Sequence, residues 1–348
     1  MKILAIETSC DDTAAAVIEA KGGLKKPRLL ILSNVSYSQV AIHKKFGGIV
    51  PNLASRAHLQ KIGPTVKSAL LISEINSDEV DLIAVTRGPG LAPSLLVGIN
   101  FARALAYRCR TPIIGVNHIE GHIYSNWLTN KKIEFPALIL IVSGGHAELV
   151  LMKNYGKYKI IGQTLDDAAG ECFDKSARVL GLGFPGGPAI AAEAAKFQFP
   201  ISKFQVQLPR PMINSKDYNF SFSGLKTAVL YLYNDLIKKY PSRKIRPAIA
   251  FEFQNAIVDV LVSKTLKAAR NYNPKSVMIA GGVSANKQLR EEMAKKIAPY
   301  KIPLFIPDSA YTTDNAAMIA AAGYFNCLKT KPTKDSWKNI EMDANLRL

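Results

Sequence analysis

Lys2-Ile-Leu-Ala-Ile-Glu7, Thr8-Ser-Cys-Asp-Asp12 and Thr13-Ala-Ala-Ala-Val-Ile18 follow one another without a break, an apolar run, a polar turn and a second apolar run. Two short apolar runs joined by a polar turn read as a β-hairpin, whose tip exposes backbone N–H groups and hydroxyls. The design recurs near mid-chain as Ala137-Leu-Ile-Leu-Ile-Val142, Ser143-Gly-Gly-His146 and Ala147-Glu-Leu-Val-Leu-Met152. A hairpin at the head of each half predicts a structural duplication, two related domains facing each other across a cleft, with each tip able to reach phosphate. Between the hairpins, strand-like and helix-like segments alternate, so the fold class is α/β with helices covering a sheet.

A third glycine-bearing turn lies late in the chain, where Ser276-Val-Met-Ile-Ala-Gly-Gly282 runs into Val283-Ser-Ala-Asn-Lys-Gln-Leu289. Strand, Gly-Gly and helix is a nucleotide-binding geometry, with Ser284 the expected cap of the helix, although a Gly-Gly at a strand end also serves as plain turn chemistry. Arg87 to Ser94 reads as a glycine- and proline-rich loop ahead of a helix over Leu95 to Tyr107. Lys21 to Arg28 and Lys329 to Trp337 read as solvated connections.

His118 and His122, in Asn117-His-Ile-Glu-Gly-His122, stand four residues apart after the strand-like run Pro112-Ile-Ile-Gly-Val-Asn117. That spacing puts both imidazoles on one face of a helix, as a divalent metal requires. A capped helix with two surface imidazoles has the same spacing. The order is not that of His-Glu-x-x-His zinc proteases, since Ile119 occupies the glutamate position.

With 348 residues, 48% apolar and 21% charged, the chain has room for about two domains and is not of disordered type. Lys and Arg outnumber acids by 45 to 27, a net charge of +18 that favours a polyanionic partner. The cations lie in small groups, among them Lys44-Lys45, Lys131-Lys132, Lys238-Lys239 and Arg243-Lys244-Ile-Arg246, which predicts a basic face rather than an arm. The first apolar run is too short for a signal peptide and Glu7 interrupts it, and no stretch approaches a membrane span. Four scattered cysteines form neither a zinc ribbon nor a disulfide framework, so a cytoplasmic location is expected. The charge alone suits nucleic acid or an acidic membrane surface equally, and the absence of a span leads to the expectation of no membrane partner.

Ten ordered blocks carry a resemblance over residues 2 to about 325: Ile6 to Thr13, Gly47 to Arg56, Thr86 to Gly98, His118 to His122, Val142 to His146, Asp166 to Lys175, Pro185 to Pro188, Phe220 to Lys226, Ala280 to Asn286 and Thr313 to Ile319. Together they resemble the TsaD family of tRNA N6-adenosine threonylcarbamoyltransferases, of bacterial or organellar type. The resemblance implies the actin, sugar-kinase and chaperone ATPase fold, with one domain over 1–130 plus about 314–348 and the other over 131–313. It implies transfer of a threonylcarbamoyl group from threonylcarbamoyl-AMP to N6 of the adenosine 3′ of a tRNA anticodon, with release of AMP.

The family's metal ligands fall on His118, His122 and Asp314. Two imidazoles and a carboxylate leave coordination positions open for substrate, and the family implies one divalent ion, iron rather than zinc. The family's substrate-binding hairpin falls on Ile141, Val142, Ser143, Gly144 and Gly145, and its nucleoside contacts on Asp174, Gly187 and Asn286. Asp11 is the expected acidic residue of the reacting centre, although an Asx turn closing the hairpin would also explain Asp11 and Asp12. Asp166, Asp167 and Glu171 read as acids at a helix start. The resemblance further implies tRNA, a paralogous dimer partner and a small ATPase as partners. Where bacterial relatives commonly carry His-Thr-Gln this chain has His146-Ala147-Glu148, and Ile141 replaces the tyrosine of archaeal and eukaryotic relatives.

Overall fold

The structure, a computed structural model, describes residues 1–129, 132–197 and 206–348. Lys131, and with it the expected boundary at 130/131, lies outside the described residues. Strand β1 (Lys2–Glu7) pairs antiparallel with β2 (Asp12–Lys21), with Glu7 opposite Ala14, so the first hairpin forms and its tip spans residues 8–13. β3 (Arg28–Ser38) continues the antiparallel side, while β4 (Leu82–Gly88) and β5 (Ile113–Asn117) add in parallel on the other side of β1, giving the order β3-β2-β1-β4-β5.

The second hairpin founds the second sheet. β6 (Ala137–Val142) pairs antiparallel with β7 (Ala147–Asn154), followed by β8 (Lys157–Gln163). β9 (Ser276–Ala280) and β10 (Leu304–Phe305) add in parallel on the far side, in the order β10-β9-β6-β7-β8. In both sheets the first hairpin strand is central, its partner and the next strand lie to one side, and two later parallel strands lie to the other. The same connectivity used twice is the duplication that the repeated hairpins predict.

Two compact units result, one of residues 1–133, 154–157 and 307–348, the other of 134–153 and 158–306. The first holds helices α1 (Val40–His43), α2 (Pro51–Ser73), α3 (Ala92–Cys109) and α4 (His118–Tyr124). The second holds α5 (Ala169–Val179), α6 (Gly186–Ala194), α7 (Ser223–Ile237), α8 (Ser242–Tyr272) and α9 (Lys287–Ile297). Helix α10 (Ala316–Thr330) belongs to the first unit.

In the first unit Ile83 and Val85 pack with Ile62 and Val66 of α2 and Leu95 and Ile99 of α3. Alternation sends Ala84 to the opposite face, where a Cβ on Gly323 of α10 would lie 2.7 Å from its Cβ. The sheet is therefore covered on both faces, and Ile3 to Ile6 are fully buried. In the second unit Leu138, Leu140 and Val142 pack with residues of α5 to α9, and α8 runs through that core. No described helix is long and apolar enough to cross a membrane. The expected solvated connection after Lys329 is helical as far as Thr330, and Trp337 packs edge-on to Tyr107 with ring centroids 5.1 Å apart.

Asp166 does not serve its own helix start. It accepts from the backbone N–H groups of Phe222 (2.7 Å) and Ser223 (3.2 Å) and from the hydroxyls of Ser221 and Ser223, capping α7 from a distant segment. Burial pushes its carboxyl up, but these four hydrogen bonds outweigh it and hold the group below the usual carboxylate range. A depressed pKa stabilises above the unfolded-state value and is lost as pH falls through the folded-state value. Asp166→Ala should therefore cost about 1 kcal/mol at neutral pH, the ordinary worth of a cap. Denaturant titrations should show the deficit shrinking below about pH 4, where the unfolded carboxyl titrates. A deficit that persists undiminished in acid would show that the charge of Asp166 contributes nothing.

Candidate metal centre and substrate hairpin

Asn117 ends β5 and caps α4 at once, its side-chain oxygen accepting from the N–H groups of Ile119 (2.7 Å) and Glu120 (3.4 Å). His118 is thus the first helical residue and His122 lies one turn on, with their ring centroids 4.7 Å apart. Gly121 lets α10 come close, since a Cβ there would lie 2.7 Å from Ile319 Cδ1. The side chain of Asn315 caps α10 through Met318 N (3.0 Å), and Asp314 stands just before that cap. Its Oδ1 lies 3.5 Å from His118 Nε2 and 3.4 Å from His122 Nε2.

These three residues offer two ring nitrogens and one carboxylate oxygen within 4.8 Å of one another. His122 is 1% exposed, and neither of its ring nitrogens has a hydrogen-bond partner of acceptable geometry. A buried lone pair without a donor costs free energy that a bound cation would recover. The donor set and the orphaned nitrogens fit a transition metal.

Glu7 stands behind His118. Its fully buried Oε2 lies 2.9 Å from His118 Nδ1 and accepts from the hydroxyl of Thr86 (2.7 Å), while its Oε1 accepts from the backbone N–H of Ser9. A carboxylate on Nδ1 keeps that nitrogen protonated, so that in the neutral ring, the form that binds a metal, the lone pair is on Nε2 on the Asp314 side. Burial, the largest single influence, opposes charge on His118, but Glu7 and Asp314 outweigh it and raise the imidazole to about 9. Asp314 is driven up by burial and more strongly down by both imidazoles, to about 2. Glu7 is likewise lowered against its burial, chiefly by His118, and His122 is lowered by burial.

The first hairpin tip shares this electrostatic neighbourhood. Burial, then repulsion from Asp314, Asp11 and Glu7, pushes Asp12 up to about 7 against one hydrogen bond from Ser38. The Cys10 thiol is raised by burial and by Asp11, Asp314 and Glu7. Four acids crowd one place, as a cation site requires. His58 clamps the tip to α2, with Nδ1 2.8 Å from Thr13 Oγ1 and Nε2 3.1 Å from the Cys10 carbonyl. His43 closes the next loop, its Nε2 3.1 Å from Gln39 Oε1 and its Nδ1 accepting from Val50 N (3.3 Å).

In the second unit Ile141 and Val142 are fully buried in β6, so their backbones alone are offered at the hairpin. Ser143 N donates to the His146 carbonyl (2.8 Å), and Gly144 and Gly145 are exposed at the tip. Gly281, at a φ of +89°, lies so close that a Cβ would collide with the Val142 carbonyl oxygen. Gly170 N donates to the Ser143 carbonyl (3.1 Å), bringing the start of α5 to the same place. Asp174 Oδ1 accepts from Gly186 N (2.6 Å), burial raises its carboxyl, and Gly187 opens onto free space.

The expected cap at Ser284 is corrected. Ser284 lies in a short 3₁₀ turn with its hydroxyl buried and unbonded, and Asn286 caps α9 instead, accepting from Leu289 N (3.0 Å) while donating to Gln254 (2.8 Å). A serine two residues too early offered the right chemistry at the wrong place.

The family model described as TsaD, tRNA N6-adenosine threonylcarbamoyltransferase, matches residues 30–321. The chain belongs to this family. The protein of that name from Caldicellulosiruptor saccharolyticus is 48% identical over 94% of both chains, and that from Bacillus subtilis is 48% identical over 93% of this chain and 90% of its own. Among solved structures, full-length HypF in a phosphate- and nucleotide-bound form superposes with a TM-score of 0.60 at 12% identity, over 94% of this chain and 46% of its own. Component A of (R)-2-hydroxyglutaryl-CoA dehydratase from Acidaminococcus fermentans gives 0.52 at 11% identity, over 94% and 98%. These likenesses show the fold alone, the α/β architecture that this chain shares with both structures.

Within the TsaD-family frame, the structure gathers His118, His122 and Asp314 in one unit, and Asp11 lies on the hairpin tip whose Ser9 hydroxyl is 3.1 Å from His118 Nδ1. Sequence reasoning missed Glu7. The available signal was an acid ending an otherwise apolar strand, where only a strong partner makes its burial tolerable.

Proposed function

We propose that this protein modifies tRNA in the cytoplasm, transferring the threonylcarbamoyl group of threonylcarbamoyl-AMP to N6 of the adenosine 3′ of the anticodon, in tRNAs that read codons beginning with adenosine. The observation that carries this reading is the convergence of His118, His122 and Asp314 beside an acid-bearing hairpin tip in a member of this family. One divalent ion, iron in preference to zinc, would be held by these three side chains and supply Lewis-acid polarisation of a substrate oxygen.

The chain's own residues have separate tasks. Asp11 accepts the proton of the attacking amine. N6 bonds to the carbamoyl carbon, the bond from that carbon to the phosphate oxygen breaks, and AMP leaves with the electron pair. The exposed amides of Gly144 and Gly145 and the hydroxyl of Ser143, held by the buried backbone of Ile141 and Val142, meet the donor's phosphate or carboxylate. Asp174 and Asn286 hydrogen-bond the nucleoside, and Gly187 admits it closely. A paralogous dimer partner and a small ATPase complete the assembly.

Reconstitution with tRNA, labelled threonine, bicarbonate, ATP and a threonylcarbamoyl-AMP synthase tests the reading, with and without added partners. Labelled threonylcarbamoyladenosine is expected, and its absence under both conditions overturns the proposal. Asp174→Ala and Asn286→Ala should each raise KM for the donor roughly five- to hundredfold, the worth of about 1–3 kcal/mol of buried hydrogen bonding. Asn286→Ala should also cost about 1 kcal/mol of stability through the lost α9 cap. Wild-type donor affinity in calorimetry would remove either residue from the site.

A further inference from the structure

We propose that the corner between α7 and α8 is an RNA-docking face, on which Lys238, Lys239, Arg243 and Lys244 neutralise phosphates while Tyr231 and Tyr240 stack on unpaired bases. The proposal rests on the tRNA reading above and adds the place and mode of docking. Between positions 226 and 246 the sequence holds six cations and one acid, against 45 and 27 in the whole chain, so the +18 excess is concentrated here. All four named cations are exposed. Lys238 pairs with the one acid, Asp235, at 3.3 Å, but their side chains are 73% and 76% exposed, and such a pair is worth little and is readily exchanged for a phosphate.

The charges are placed against the local electrostatics. Arg243 and Lys244 lie in the first turn of α8, a 31-residue helix with no acid in that turn. The positive end of a helix dipole disfavours cations, so this turn holds uncompensated positive potential that an external polyanion relieves.

The tyrosines decide which polyanion. Tyr231 is 66% exposed and two turns before Lys238 on the same helical face, and Tyr240, 40% exposed, directly follows Lys239. Tyrosines also occur at protein and membrane interfaces, but there their rings need not alternate with phosphate-binding cations. Flat aromatic faces between phosphate-binding cations suit RNA whose bases are unstacked, as in a loop. The face is also firmly mounted, since Asp166 caps α7, Tyr233 Oη lies 3.1 Å from Ser242 Oγ across the corner, and Ile245 is fully buried.

Filter binding of unmodified tRNA to the full chain across a salt series tests the inference. Replacing Lys238, Lys239, Arg243 and Lys244 by Gln should flatten the slope of log affinity against log salt by roughly 0.7–0.9 for each side chain that meets a phosphate. Tyr231→Ala and Tyr240→Ala should each weaken binding roughly five- to hundredfold at unchanged slope. Donor affinity, read by calorimetry, should stay at wild type in all of them and report that they are folded. An unchanged slope in the fourfold variant overturns the proposal, as do tyrosine variants of wild-type affinity. Loss of binding to phosphatidylserine vesicles with tRNA affinity retained would assign the face to a membrane and equally overturn it. Failure of the transferase reading would appear instead as absence of labelled product in the reconstitution, whatever the slope.

Discussion

His118→Ala and His122→Ala each yield folded protein whose metal content falls from about one ion per chain to near zero, with transfer activity reduced more than about a hundredfold. The magnitude follows from position, because loss of a residue that only supports a ligand already costs about 10- to 100-fold, and these are the ligands themselves. Two remaining protein donors cannot hold an open coordination site. Folding should survive in both, because the cap Asn117 and the packing against α10 are untouched, but His118→Ala should be the less stable of the two, since it leaves the buried Glu7 carboxylate with only Thr86 and Ser9. His122 even brings a liability to the metal-free fold, since both its ring nitrogens are buried and unbonded. Thermal shift separates the cases. Wild-type protein should gain about 2.7 kcal/mol at a metal concentration one hundred times Kd, and the variants should gain nothing. Wild-type metal content in either variant would sink the assignment.

The two hairpins were legible because their pattern is local, a few apolar residues, a polar turn and a few more. The strands that complete each sheet were less so, since β10 is two residues long and its place beside β9 is set by a distant pairing. The metal centre divides the same way. His118 and His122 announce themselves by helical spacing, whereas Asp314 lies almost two hundred residues away and became visible only through the resemblance. Glu7 shows in the sequence only as a charge interrupting an apolar run, and its partners Thr86 and His118 are brought to it by β4 and by the end of β5. Asp166 reads in the sequence as a local helix-start acid, because spacing cannot show that the N–H groups it serves are those of Phe222 and Ser223.

The duplication is also a division of labour. The first tip carries Asp11 and Asp12 and lies in the field of Glu7 and Asp314, so it collects negative charge and suits a cation or a proton in transit. The second tip carries two exposed glycines and no acid between Ser143 and His146, so it offers N–H donors and suits an anion. One backbone device, used twice, acquires opposite chemistry from a few side chains.

Glu7→Gln should weaken metal binding about 10- to 100-fold although Glu7 is not a ligand and the substitution hardly changes its shape. The wild-type carboxylate accepts from Ser9 N, from Thr86 Oγ1 and from His118 Nδ1 together. An amide has one accepting end and one donating end. If its oxygen stays with Ser9, its NH2 faces His118 and makes Nδ1 an acceptor, which moves the imidazole proton to Nε2 and blocks the lone pair aimed at Asp314. If the amide turns, its NH2 confronts the Ser9 N–H, leaving a buried donor unpaired at a cost of about 1–3 kcal/mol. Either arrangement works against the ion. In metal-free protein the same change should lower the His118 pKa from about 9, because the nearest opposing charge to its burial is gone. Metal titration gives the first number and NMR titration of the imidazole the second. An unaltered Kd together with an unmoved His118 would mean that Glu7 neither orients nor charges the ring, and that its burial beneath the metal-binding helix has another cause.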